Sequence, residues 1–387
     1  MKVLHVIPSV SPLRGGATVV AHEIAAGLAG WGIEVTVATT DDDGVGRLRR
    51  LNFQPSVKGG VTYRYFPRQI HSYTVSLPLG RWLWKHLPEY DLVHCHAIFS
   101  FPSDAGAWLA AKRHVPYVLQ PHGILNRWGM EVRRPLLKRL VYQLFVRQLL
   151  EKAAAIHYTS TQEKAEAENL GFQSRGSAVI PNPVETEVDP DRFRGRFRSL
   201  HPEFADKGLV LFLSRLDEKK GLDLLVPAFA KVVAARPETI LVIAGSGSPA
   251  FEASVRNLVR EFGIVDHVYW AGFLSSDFKA AAFCDADVFV LPSYSENFGV
   301  APVEAMAFGI PVVVSDQVGI CGDILEAGAG EVVHCDAGEI AAAVLRLLSA
   351  PLLRAEMGTR GTALARGRFS RQAVIQQVVR LYRSILT

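Results

Sequence analysis

Cysteine is sparse in this 387-residue chain: four residues, at 95, 284, 321 and 335. None stands in a Cys-x-x-Cys pair, which removes the usual sequence sign of a redox dithiol or a zinc ribbon. So few thiols fit a reducing compartment. Long hydrophobic runs are missing too. No stretch reaches the roughly 18 uninterrupted apolar residues of a membrane span. The opening MKVLHVIPSV carries one Lys and a short apolar run, and SPLRGG follows where a secretory leader would have a small-residue cleavage site. Neither sign of charge dominates: 42 Lys+Arg less 38 Asp+Glu leaves +4, so the overall charge does not ask for nucleic acid. These absences predict a cytoplasmic protein, free or at the inner face of the plasma membrane.

Hydrophobic residues make up 49% and charged residues 21%. That is globular composition and excludes a disordered chain, a collagen-like repeat or a disulfide mini-protein. At roughly 150 residues per domain the length holds two to three domains. Charge is unevenly spread. Residues 1–182 hold 21 Lys+Arg and 13 Asp+Glu, net +8, whereas residues 183–387 hold 21 and 25, net −4. Either surface composition drifts, or the first half faces something anionic such as phospholipid or a phosphate-bearing acceptor.

Short β-branched runs alternate with amphipathic helical stretches. Strands are predicted at 2–8, 33–39, 61–66, 91–96, 116–120, 155–159 and 177–181, with helices at 18–30, 77–87, 102–114, 135–153 and 161–170. The pattern restarts after residue 207, with strands at 208–214, 239–244, 267–271, 287–291, 311–315 and 330–333. Strand, helix, strand in succession means a parallel sheet covered on both faces. The Pro-, Arg- and Asp-rich segment 182–206 reads as a linker and entry loop. Two doubly wound α/β domains follow: 1–182, onto which a last helix at 370–387 packs back, and 183–369. Such sheets bind ligands at the carboxyl ends of their strands, so the cleft between the domains is the expected site.

The richest block is SYSENFGVAPVEAMAFGIPVVVSD, residues 293–316. Glu296 and Glu304 are eight apart. Glu296 follows the strand at 287–291, and Asn297, Phe298 and Gly299 lead into a helix whose free N–H groups suit an anion. Glu304, one to two turns into that helix, points at the same ligand from another height. One carboxylate can accept from sugar hydroxyls and the other from a ribose diol. A carboxylate beside a helix N-terminus is also a plain capping arrangement. Arg215 and Lys220 stand at the end of the strand 208–214. Arg binds phosphate oxygens bidentately and Lys adds a point charge. Gly15 and Gly16 open the first helix, where glycine allows close backbone approach or makes a simple turn. Neither these nor Gly245 and Gly247 complete a Gly-x-Gly-x-x-Gly fingerprint, which argues against an ordinary dinucleotide site.

The 293–316 block resembles the retaining nucleotide-sugar glycosyltransferases of family 4, which have the GT-B architecture of two facing Rossmann-like domains. LFLSRLDEKKGLDLLVPAF (211–229), VIAGSG (242–247), VYWAGFLSSD (268–277) and CDADVFVLPS (284–293) are similar to the family's donor domain. SVSPLRGGATVVAHEIAAGLAGWGIEVTV (9–37), PHG (121–123) and AIHYTSTQEKAEAENLG (155–171) are similar to its first domain. The loop at 318–323 departs from the usual Gly-Gly and Glu. GILNRWGMEVRRPLLKR, after PHG, resembles transferases of bacterial exopolysaccharide pathways. The resemblance implies a donor site of Gly15, Gly16, Arg215, Lys220, Gly245, Gly272, Phe273, Glu296, Asn297, Phe298, Gly299, Val300 and Glu304. It implies catalytic work for Glu296, Arg215, Lys220 and His122, the last approaching the transferred sugar. It places His96, Asn126, Arg127, Arg133 and Arg134 on the acceptor or membrane side.

Other motifs weigh less. His94 and His96 share one side of a strand, Cys95 the other; with no third ligand beside them, one reads as core and one as cleft lining, and no metal is expected. Asp285 and Asp287 precede their strand, the wrong end for a metal-binding Asp-x-Asp, and read as structural. Asp41, Asp42 and Asp43 read as a solvated loop. Residues 133–152 form a basic amphipathic helix with Leu136, Leu137, Leu140, Val141, Leu144 and Phe145 at 3–4 spacing. That stripe either packs on the sheet or meets anionic membrane, an option to which RWLWKH (81–86) adds.

Together these readings predict a retaining, metal-independent GT-B hexosyltransferase without cofactor. Its donor is a nucleoside diphosphate sugar, UDP-hexose before GDP-mannose. Its acceptor is a glycan or lipid-linked sugar in cell-surface polysaccharide synthesis. A nucleotide-sugar epimerase would share the two-domain shape without needing the two glutamates with Arg215 and Lys220. A two-lobed sugar-binding protein is usually exported.

Overall fold

The computed structural model describes residues 1–11, 15–44, 46–48, 54–131 and 135–387. They group into two units, Met1–Pro183 with Arg371–Thr387, and Val184–Ser370.

The first unit has strands β1 (Lys2–Val6), β2 (Glu34–Thr40), the short pair β3 (Asp42–Asp43) and β4 (Gly46–Arg47), β5 (Ser56–Lys58), β6 (Val61–Phe66), β7 (Leu92–His96), β8 (Tyr117–Gln120), β9 (Ala155–Tyr158) and β10 (Ser177–Val179). Its sheet runs β10-β9-β8-β7-β1-β2-β6-β5. Every neighbouring pair is parallel except the edge pair β5 and β6. Both faces are covered, which is why the central strands read as near-continuous apolar runs. One face packs Leu4, Val6, Val93, Cys95 and Leu119. The other packs Val3, Val35 and Val118 with Val374, Val378 and Tyr382 of the last helix, Arg371–Leu386.

The second unit has β11 (Gly208–Leu213), β12 (Thr239–Ala244), β13 (Val268–Gly272), β14 (Val288–Leu291), β15 (Val312–Ser315) and β16 (Gly330–Val333), in the order β13-β12-β11-β14-β15-β16. All pairs are parallel. The order reverses direction at β11 and β14, the switch point where such sheets bind ligands.

Two expectations change and one open alternative narrows. Segment 182–206 is no linker: from Val184 on it belongs to the second unit and carries helix Arg196–Leu200. Phe193, Phe197 and Phe204 are buried; Phe204 stacks on His201, and the Phe197 ring packs tilted against it. Asp41 and Asp42 are buried instead of solvated. Asp42 is ion-paired to Arg68, whose backbone N–H donates to Asp41. The helix at 135–152 is interrupted by a π-turn at Tyr142–Val146. Its buried side chains are Tyr142, Val146, Leu149 and Leu150, whereas Leu136 (80% exposed), Leu137, Leu140 and Leu144 (67%) face solvent. The leucine stripe is therefore not a core face.

Candidate active site

Strands β11 and β14 are neighbours, with Val210 opposite Val288 and Leu211 opposite Phe289. The loops at their carboxyl ends must therefore meet. Gly221, at φ +72, closes the first of these loops; a Cβ there would stand 2.0 Å from the Pro292 carbonyl oxygen, so only glycine lets the loops touch. Tyr294 N–H donates to the Lys219 carbonyl at 2.8 Å across the junction. The result joins two residues 76 positions apart: Lys220 Nζ donates to the Glu296 carboxylate. Burial, then the charges of Lys219 and Arg215, push Lys220 down to about 7, against the opposing charge of Asp217. Arg215 is exposed and has no ion-pair partner among the described residues. One buried and one free cation at a sheet switch point suit a diphosphate on which charge develops.

The other residues expected on the donor side lie on neighbouring strand ends and on the helix after Glu296. Gly245 follows β12 with φ +134, and a Cβ would meet the Ser214 carbonyl oxygen at 1.8 Å. Its N–H donates to Gly272, which ends β13; Phe273 follows, 77% exposed. Gly299 caps helix Val300–Ala307, which carries Glu304 in its second turn. Glu304 accepts from Lys279 Nζ at 2.7 Å, a partner with no sequence signal beyond being a Lys on helix Ser276–Asp285. Asn297 lies on the loop between Glu296 and this helix. Phe298 does not line the site: it is buried and packs edge-on against Phe369 at 5.6 Å. The loop at 317–319 is bonded to Glu296 on both sides. Glu296 N–H donates to Gln317, and Gly319 N–H donates to Glu296. Asp285 accepts from the Gly195 and Arg198 N–H groups, and Asp287 from Leu209 N–H, Arg198 and Arg354. Both are structural.

In the first unit Gly15 caps helix Gly16–Gly30, and a Cβ at Gly15 or Gly16 would meet nothing within 4 Å. His122 follows β8 in a left-handed conformation, φ +57, uncommon for a side-chain-bearing residue. Glu163, which the sequence reading passed over, holds that loop by accepting from Gly123 N–H at 2.5 Å and from Thr159 N–H at 2.6 Å.

Behind His122 lies a buried histidine cluster. β1 pairs with β7 so that His5 faces His94, and alternation adds His96 to the same face. His96 is 0% exposed, which corrects its acceptor-side placement: the strand turns it inward against His122. His5 Nδ1 and His96 Nε2 are 2.8 Å apart, His96 Nδ1 and His122 Nε2 3.2 Å. Tyr382 Oη lies 2.7 Å from His94 Nδ1 and 3.4 Å from His5 Nε2. His94 Nε2 has no partner. One polarity avoids a stranded buried N–H. In it His94 Nδ1–H donates to Tyr382, Tyr382 to His5, His5 to His96, and His96 to His122 Nε2. His5, His94 and His96 do bring three imidazoles within reach of one metal ion, the third ligand not seen in the sequence. Their rings, however, are stacked at 22° and 26°, with nitrogens aimed at one another.

Asn126 caps helix Arg127–Glu131 by accepting from Gly129 N–H at 2.6 Å. Arg133 and Arg134 lie outside the described residues.

Two Rossmann-like parallel-sheet units with a cationic switch-point site define the GT-B class. Two family patterns match: Glycosyl transferases group 1 over residues 194–364 and the Glycosyl transferase 4-like domain over residues 15–183. D-inositol 3-phosphate glycosyltransferase 2 of Catenulispora acidiphila is 30% identical over 373 residues, covering 89% of this chain and 84% of that protein. The phosphatidyl-myo-inositol mannosyltransferase of Mycobacterium leprae is 34% identical over 181 residues, 46% of this chain and 47% of that one. Among solved structures, HepE of Anabaena in complex with UDP shares the fold at a TM-score of 0.81 and 21% identity, over 99% of this chain and 100% of that one. The chain belongs to the family 4 glycosyltransferases, enzymes that use nucleotide sugars. That membership displaces the epimerase and sugar-binding alternatives. Among the described residues no helix is long and apolar enough to cross a membrane.

Proposed function

We propose that the enzyme transfers a hexose with retention, and without a metal, from UDP-hexose before GDP-mannose. The acceptor is a lipid-linked or glycan sugar of cell-surface polysaccharide synthesis. The observation that carries the donor part is the junction of Arg215, Lys220 and Glu296. As the glycosidic bond breaks, charge gathers on the β-phosphate, where Arg215 and Lys220 supply fixed positive charge. The acceptor attacks the face from which the phosphate departs, and the leaving phosphate takes the acceptor proton. His122, held by Glu163 and by the histidines behind it, serves the transferred sugar. Glu304 holds the ribose and Glu296 the hexose. The lipid-side part draws support from the basic first half and the exposed leucines of helix 135–152, which together suit contact with anionic membrane. A donor panel with UDP- and GDP-sugars, read by nucleoside diphosphate release and by the anomeric configuration of the product, tests the reading. An inverted product, or release from GDP-mannose alone, would overturn the corresponding part.

A further inference from the structure

We propose that a trough in the first unit, between helices Leu77–His86 and Phe101–Lys112, seats one hydrocarbon chain of an anionic membrane lipid. The inference rests on the membrane-contact part of the reading above and adds a site to it.

The trough has a volume of about 710 Å³ and is walled by Leu77, Trp84, Phe101, Trp108, Leu109 and Phe145. Gly80 and Ala105 are the smallest residues that line it. Its one acidic wall residue, Asp104, is buried and accepts from Tyr73 Oη at 2.5 Å; burial raises its carboxyl to about 7. Trp84 and Trp108 remain 49% and 42% exposed. A soluble surface rarely leaves two tryptophans open over an apolar hollow unless something covers them.

Charge identifies the occupant. Arg81 is exposed and lines the trough. A second hollow of about 490 Å³ shares Trp108 and Phe145 with the trough and carries Lys112 and Lys152 at its margin. Each tryptophan has a cation beside it: Arg113 lies 3.7 Å from the Trp84 ring and Lys112 5.8 Å from the Trp108 ring. Cations over aromatic rings at the border of an apolar surface match the headgroup level of a bilayer, with phosphate at the lysines and chain below. Phe145, which lines the trough, lies on the same helical stretch whose Leu136, Leu140 and Leu144 project into solvent. The trough therefore borders a helix that also presents apolar side chains to solvent. A protein partner would need complementary acidic groups. A phospholipid supplies the anion and the chain in one molecule.

The test uses the whole protein and two probes. Alkyl phosphates of increasing chain length should bind with affinity rising roughly fourfold per methylene until the trough is full. Gly80→Leu and Ala105→Phe, which enlarge the two smallest lining residues, should flatten that series. Independently, phosphatidylglycerol vesicles with chain-brominated lipid should quench tryptophan fluorescence, and the Trp84→Phe, Trp108→Phe double variant should lose most of the quenching. This second measurement needs no plugged variant to fold. An alkyl series that is flat in the native protein overturns the trough. If the vesicles still co-sediment with the protein in that case, and release it as salt rises, membrane contact survives without the chain site. Failure to bind vesicles at all overturns the lipid as occupant, and a concentration-dependent dimer would then name a second copy as the cover.

Discussion

Lys220 and Glu296 form a part-buried ion pair across two adjacent loop ends, with Lys220 Nζ donating to the carboxylate. In sequence these groups looked like two independent ligands, one for phosphate and one for sugar. The pair makes them one device. Glu296 sets a negative charge against a buried cation. In the proposed function, a diphosphate arriving there takes over as counter-ion and frees the carboxylate for the sugar.

Removing either cation should therefore be costly. Arg215→Ala or Lys220→Ala is expected to lower kcat/KM by roughly 10²-fold or more, the scale of losing one preorganised donor at developing charge. Steady-state kinetics with the preferred donor decide it, and near-native turnover in either variant would remove the phosphate from this junction.

Acid should unfold the first unit. His5 and His122 are lowered to about 3 and His157 to about 4, in each case chiefly by burial, and His94 and His96 are also held well below the ordinary range. Unfolded histidines titrate near 6.5. Between pH 6.5 and 4 the unfolded chain therefore binds protons that the native chain refuses, and stability falls as pH falls, by roughly 1.4 kcal/mol per pH unit for each linked proton. Five of the six tryptophans (31, 82, 84, 108 and 128) belong to the first unit, so fluorescence-detected urea unfolding reports on it. The midpoint should drop from pH 7 to pH 5 with net uptake of more than one proton. A midpoint that does not move contradicts the buried cluster.

The strand and helix alternation was readable because a parallel sheet covered on both faces writes itself as apolar runs. The charge junction was readable only in part. Arg215, Lys220 and Glu296 stand out as residue types, but their meeting depends on β11 lying beside β14, which no local pattern encodes. His5 is likewise silent in KVLHVIP until strand pairing sets it opposite His94. The leucines at 136–144 left two readings open: 3–4 spacing reveals an apolar stripe, and nothing in the spacing says what covers it. Composition misled at 182–206, where prolines and charges hid Phe193, Phe197 and Phe204.

Metal independence follows from the proposed phosphate site. If Arg215, Lys220 and helix N-termini neutralise the diphosphate, transfer should survive EDTA. Loss of activity with EDTA and recovery with Mg²⁺ or Mn²⁺ would place a cation at the diphosphate. Recovery with Zn²⁺ alone would point instead to His5, His94 and His96.

The two glutamates are expected to differ in how pH enters. Glu304 accepts from Lys279 on a helix beyond the phosphate junction, so Glu304→Ala should weaken nucleoside diphosphate binding alike at pH 6 and pH 8, through the lost ribose contact. Glu296→Ala acts through its partner. In the native site burial, Lys219 and Arg215 already lower Lys220 to about 7, against Asp217, and loss of the adjacent carboxylate should lower it further. A larger share of the ammonium is then neutral at pH 8 than at pH 6. Nucleotide affinity should therefore fall less at pH 6 than at pH 8. Turnover should drop at both pH values, because a sugar contact that orients the reacting carbon is gone. Calorimetric titration of both variants with the nucleoside diphosphate at the two pH values, beside their rates, separates the cases. An equal loss at pH 6 and pH 8 for Glu296→Ala would mean that Glu296 binds the nucleotide itself, and the division of labour between the two carboxylates would be the reverse of the one argued here.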